Sequence, residues 1–160
     1  MRRSVLISIL IAIALLTTLA YHLFKPNWVL FRKGEDCFSK KDYAVAIPYY
    51  VDLLNNGFVT ERLLNHLGTA YIATGEFEKA MTIFKDLIKH SSKKTMAIEE
   101  LANIYVMLGR FKQAVALYQA YLQEQPDNRS VRILLARALT WSGRFEEAIV
   151  QYRKALGEEP

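Results

Sequence analysis

Cysteine is almost missing from this chain: Cys37 stands alone among 160 residues. That excludes an intramolecular disulfide, a Cys-rich metal site and a Cys-x-x-Cys-His haem attachment. Gly-rich phosphate loops, nucleophile motifs and metal-ligand spacings are absent as well. Neither His66 nor His90 has a second ligand three or four residues on, so metal binding is not expected. Acidic residues are missing from the first 34 positions, since all 16 lie beyond Gly34 together with 16 of the 21 basic ones. The formal charge of +5 therefore belongs to residues 1–33, and the remaining body is neutral. A neutral body argues against nucleic acid as a partner. The acidic pairs Glu99-Glu100 and Glu146-Glu147 occupy consecutive positions of a helix and form no acid–base couple. An enzyme is thus not expected, nor a cofactor.

What the chain has in quantity is apolar residues, 52% of the total. Much of the excess lies in Ser4 to Phe24, "SVLISILIAIALLTTLAYHLF", which carries no Asp, Glu, Lys or Arg. As a helix these 21 residues rise about 30 Å, the thickness of a bilayer's hydrocarbon core. Arg2 and Arg3 precede the run, Lys25 follows it, and Tyr21 and Trp28 stand where aromatics favour the headgroup layer. The expectation is a transmembrane anchor over residues 1–25, inserted through residues 4–24. A cleaved signal ending at Thr18-Leu19-Ala20 is the weaker alternative.

Beyond the anchor the chain repeats itself. "AYIATGEFEKAMTIF" from Ala70, "IYVMLGRFKQAVALY" from Ile104 and "ALTWSGRFEEAIVQY" from Ala138 follow one another at a spacing of 34 residues. The register gives units 61–94, 95–128 and 129–160, and it extends backwards to 27–60. Each unit reads as two helices with a turn at Gly75, Gly109 or Gly143, where positive φ favours glycine. Ala80, Ala114 and Ala148 are the small residues that let paired helices approach, and Phe84, Tyr118 and Tyr152 fill the space beyond. Pro126 and Pro160 close their units. The first unit departs most: Lys33, Cys37 and Lys41 replace the leucine, tyrosine and turn glycine, and Pro48 falls within its second helix.

This pattern resembles the tetratricopeptide repeat family over residues 27–160. The resemblance implies an all-α, right-handed superhelical solenoid of helix–turn–helix repeats behind one transmembrane helix. It also implies a concave groove built by the first helix of each unit. Transferred by register, that groove contains Arg62, Asn65, Thr69, Glu99, Asn103, Met107, Arg137 and Trp141. Its expected occupant is a peptide or helix of a protein partner. The family's carboxylate clamp is not carried over, because its places hold Phe31, Glu35, His66, Met96 and Glu100. Repeat stacks normally end in a polar cap. Here Ile149, Tyr152 and Leu156 fall on one helical strip at the end of the last unit, so that face is expected to be covered by a partner subunit, a second copy of the chain or the membrane surface.

The functional expectation is a membrane-anchored scaffold that mediates protein–protein interaction in a cell-envelope assembly. The expected location is a bacterial inner membrane, with the repeats periplasmic. The alternative is a small accessory subunit of a large membrane complex, its apolar helix packed against other subunits.

Overall fold

In a computed structural model the protein is described over residues 2–91 and 94–158, with side chains except at 2–6, 8 and 20–25. Eight α-helices and no strands occur among these residues. They are α1 (Arg2–Ser39), α2 (Tyr43–Asn55), α3 (Glu61–Ala73), α4 (Phe77–His90), α5 (Lys94–Met107), α6 (Phe111–Glu124), α7 (Arg129–Trp141) and α8 (Phe145–Leu156). The chain divides into two compact units, Met1–Ala70 and Tyr71–Pro160.

The turns explain the 34-residue period. Gly75, Gly109 and Gly143 adopt φ of 78°, 67° and 77°. After each first helix the same two bonds close the end: Gly109 N donates to Val106 O, and Arg110 N to Tyr105 O. The pairs Gly75–Ile72 with Glu76–Tyr71, and Gly143–Thr140 with Arg144–Leu139, repeat them. This is the Schellman end, which satisfies the orphan carbonyls of a helix and demands a left-handed residue. Lys41 makes the same turn with φ 65°, bonding to Phe38 O while Asp42 N reaches Cys37 O. A lysine therefore holds the backbone conformation that glycine holds elsewhere.

In the unit Met1–Ala70, the C-terminal part of α1 pairs with α2. Ala46, Tyr50, Leu53, Leu63, Leu67 and Ala70 are almost wholly buried there. A Cβ on Gly34 would lie 2.9 Å from Cε1 of Tyr50, so the close approach of α1 to α2 depends on glycine. Trp28, Phe31 and Phe58 form an aromatic cluster with ring centroids 5.8 to 6.0 Å apart. The expected irregularity of the first repeat does not interrupt either helix: α1 runs through Pro26 and α2 through Pro48. Cys37 is half-buried.

In the unit Tyr71–Pro160, one apolar cluster joins four helices. Ile98 and Ala102 of α5, Ala114, Val115 and Tyr118 of α6, Val131, Leu135, Ala138 and Leu139 of α7, and Ala148 of α8 belong to it. Asn128 caps α7, its Oδ1 accepting from Val131 N at 3.1 Å while its Nδ2 donates to the Tyr121 hydroxyl. That hydroxyl also bonds Thr95 Oγ1 at 2.8 Å, which ties the starts of α5 and α7 to α6.

The expectation of a single-pass membrane protein is overturned. Among the described residues no helix is long and apolar enough to cross a membrane. The described apolar side chains of α1, such as Ile7, Leu10, Ile11, Leu15, Leu16 and Leu19, are exposed. Beyond Pro26 the same helix carries Arg32, Lys33, Glu35 and Asp36 and packs against α2. Trp28, read from the sequence as a headgroup aromatic, instead packs edge-on against Phe31 and Phe58. The flanking side chains Arg2, Arg3, Tyr21 and Lys25, together with Ser92 and Pro160, lie outside the described residues.

Candidate functional site

Of the residues expected to line a groove, those in the unit Tyr71–Pro160 come from α5 and α7, which touch each other. Glu99, Asn103 and Met107 are spaced four apart on α5, and Arg137 and Trp141 four apart on α7, so each set shares one helical face. Asn103, Met107, Arg137 and Trp141 are exposed, and Glu99 is half-buried. The Arg137 guanidinium lies 5.1 Å from the centre of the Trp141 ring, a cation–π stack that fixes both side chains at the surface. Below this face is the buried phenol of Tyr118, pushed up to about 12 by burial and by the charges of Glu99 and Glu100, with Arg137 opposing. Glu100 is raised in turn by its burial and by Glu99. The structure thus gathers an acidic edge, an amide and a stacked Arg–Trp pair.

The other groove residues belong to the unit Met1–Ala70. Thr69 and Asn65 are half-buried, and the Asn65 Oδ1 is buried without a hydrogen-bond partner among the described residues. Arg62 is exposed, pairs with Glu35 Oε2 at 2.5 Å and spreads 6.0 Å above the Phe31 ring. Glu35, placed by the sequence only among positions where the carboxylate clamp is not met, is the centre of a network that the sequence did not show. Its Oε1 accepts from the Tyr50 hydroxyl at 2.7 Å and lies 2.6 Å from His66 Nδ1. Burial pushes its carboxyl up, but the bonds from Tyr50 and His66 and the charges of His66 and Arg62 outweigh that and hold it below the ordinary carboxylate range. The same contact and burial push the Tyr50 phenol well up. His66, read from the sequence as a lone structural histidine, stacks on Phe38 with centroids 4.1 Å apart. In the 34-residue register Trp28, Phe31 and Glu35 are the counterparts of Arg62, Asn65 and Thr69, which gives their positions but not the contacts.

On α8 the strip foreseen from helical spacing is exposed, with Ile149 at 52% and Leu156 at 63%. Tyr152 is exposed too, and Phe145 extends the strip. Among the described residues no group of three His, Cys, Asp or Glu could hold a metal ion.

Comparison with protein-family models matches residues 61–92 and residues 100–160, each to a model described as tetratricopeptide repeat. The chain carries tetratricopeptide repeats. Such repeats build protein–protein interaction scaffolds and are typically non-enzymatic. Among solved structures the chain is similar to MamA from MSR-1, at 26% identity and a TM-score of 0.61, over 84% of this chain and 78% of that one. It is also similar to MamA from AMB-1, at 25% identity and a TM-score of 0.64, over 84% and 74% respectively. MamA from Desulfovibrio magneticus RS-1 shares the fold, with a TM-score of 0.68 at 18% identity over 82% and 74%. No curated protein matches the sequence.

Proposed function

We propose that this protein is a scaffold whose repeats, 27–60, 61–94, 95–128 and 129–160, stack into a right-handed superhelix and hold a peptide or helix of a protein partner on the inner face of their first helices. The observation that carries this reading is the exposed Arg137–Trp141 stack beside Asn103 and Met107. An arginine and a tryptophan held together at the surface lose little freedom on binding, and both residue types are enriched among interface anchors. Asn103 supplies an amide that can satisfy a partner's backbone groups, while Glu99 supplies charge. Arg62, Asn65 and Thr69 extend the same inner-face register on α3. Ile149 and Leu156 favour a second contact at the α8 strip, with a partner subunit or another copy.

The test compares the wild-type chain with Asn103→Ala and Trp141→Ala as baits in a native extract, followed by titration of whichever partner only the wild type retains. Loss of that partner at unchanged thermal stability supports the groove. Equal capture by the double variant would move the contact off this face. For α8, Ile149→Glu with Leu156→Glu should reduce the mass of the assembly measured by light scattering, and an unchanged mass would remove the strip from consideration.

A further inference from the structure

A separate cavity of about 460 Å³ lies within the unit Met1–Ala70, lined by Trp28, Val29, Phe31, Arg32, Glu35 and Arg62. Its wall is aromatic and aliphatic. Trp28 is 60% exposed, yet its ring is held edge-on by Phe31 and Phe58, so it is a fixed apolar surface open to solvent. A pre-fixed tryptophan beside a concavity is suited to receiving a side chain at low entropic cost.

The charge at this cavity is one-sided. Glu35 is its single acid, and both carboxylate oxygens are engaged within the protein by Tyr50, His66 and Arg62. Arg62 remains 68% exposed although it pairs with Glu35, so part of its donor fork faces outward. Arg32 also lines the cavity, is exposed, and makes no ion pair among the described residues. A basic segment would meet two guanidinium groups with no free acid between them. A neutral apolar segment would fill the wall and leave the rim unused.

We propose that this cavity binds an acidic segment of a partner protein, with an aromatic or large aliphatic side chain seated against Trp28 and Phe31 and flanking carboxylates on Arg32 and Arg62. Guanidinium groups bind carboxylates in a planar fork, and at a partly exposed rim such pairs select between partners more than they add affinity. The site shares Arg62 with the inner-face register proposed above and rests on that reading, but every residue that lines it belongs to the unit Met1–Ala70, so variants on α5 and α7 test the two separately.

The experiment uses the full chain and three acetylated, amidated peptides, Asp-Glu-Phe-Asp-Glu, Ser-Ser-Phe-Ser-Ser and Lys-Lys-Phe-Lys-Lys, followed through the Trp28 indole N–H by NMR. The acidic peptide should shift that resonance and bind about tenfold more tightly than the neutral one at low salt, as two partly exposed ion pairs would give. The gap should narrow as salt rises. Arg32→Glu should abolish the acidic preference, and Trp28→Ala should abolish binding, both with unchanged circular dichroism. Arg32 is exposed, so the charge arm stands even where Trp28→Ala loosens the α1–α2 pair. Equal binding of all three peptides, a preference that survives Arg32→Glu, or an unmoved Trp28 resonance in the folded chain would overturn the proposal. Self-association that shifts the same resonance without peptide would assign the cavity to a second copy, and would overturn it too.

Discussion

Replacing Lys41 by glycine should stabilise the first helical pair. Lys41 sits at φ 65°, within a few degrees of Gly109 at 67°, and its two backbone hydrogen bonds are those of the glycine turns. An L-residue in the left-handed region costs roughly 1–2 kcal/mol, because its Cβ crowds the carbonyl that follows. Glycine removes that cost but returns about 0.4–1 kcal/mol through the greater freedom of its unfolded chain. The net gain should be about 0.5–1 kcal/mol, or a rise of roughly 2–4 °C in the midpoint of the transition that reports this unit. The control is Lys41→Ala, which loses the same side chain while keeping a Cβ in the left-handed region, and should be nearly neutral. The converse changes Gly75→Ala, Gly109→Ala and Gly143→Ala should each destabilise by about 1 kcal/mol, although an added Cβ would meet nothing within 4 Å. Urea denaturation followed by circular dichroism measures all five. If Lys41→Gly proved no more stable than Lys41→Ala, conformational strain at the turn would be the wrong account.

Gly34→Ala should destabilise by about 1–3 kcal/mol, since its methyl group would press on the buried Tyr50 ring at 2.9 Å; a denaturation midpoint equal to wild type would show that the pair has slack. Glu35 has its carboxyl lowered from an ordinary 4.5, so its contribution is present above that value and lost as pH falls through the lower folded one. Glu35→Gln should therefore cost about 1–3 kcal/mol at neutral pH and flatten the acid limb of a stability–pH profile, whereas an unchanged limb would deny the Tyr50–His66–Arg62 network its role. Asn128→Ala should cost about 1 kcal/mol by uncapping α7, and Asn128→Asp should retain most of that; equal losses in the two variants would place the effect elsewhere than at the Val131 amide.

The period of 34 residues made the helices, their turns and the small residues between them legible, because each depends on neighbours in the chain. Gly75, Gly109 and Gly143 marked the helix ends, since only a left-handed residue closes them. The face shared by Asn103 and Met107 followed from the same spacing, as did the exposed Ile149 and Leu156. The Glu35 network was not legible in this way. Its partners Tyr50, Arg62 and His66 are 15, 27 and 31 residues distant, and their approach is a product of packing rather than of local pattern. Composition misled most at the N-terminus. An apolar run and its charged flanks were read as a span ending before Pro26, whereas one helix passes through that proline and takes Asn27 to Ser39 into the packing against α2.

The cluster that joins α5, α6, α7 and α8 has a consequence for local opening. Ile98 and Ala102 share it with Leu135 and Ala148, so the period boundary at residue 128 is not a seam in the packing. Asn128 itself, bonded to Tyr121 and through that hydroxyl to Thr95, binds across the boundary. Opening either helical pair would strip the other of its covering, and the two should therefore open as a single foldon. In native-state hydrogen exchange the amides of Ala102, Tyr118 and Leu139 should then share one opening free energy and one denaturant dependence. The sequence repeats every 34 residues, but the unit expected to open cooperatively spans about two such periods.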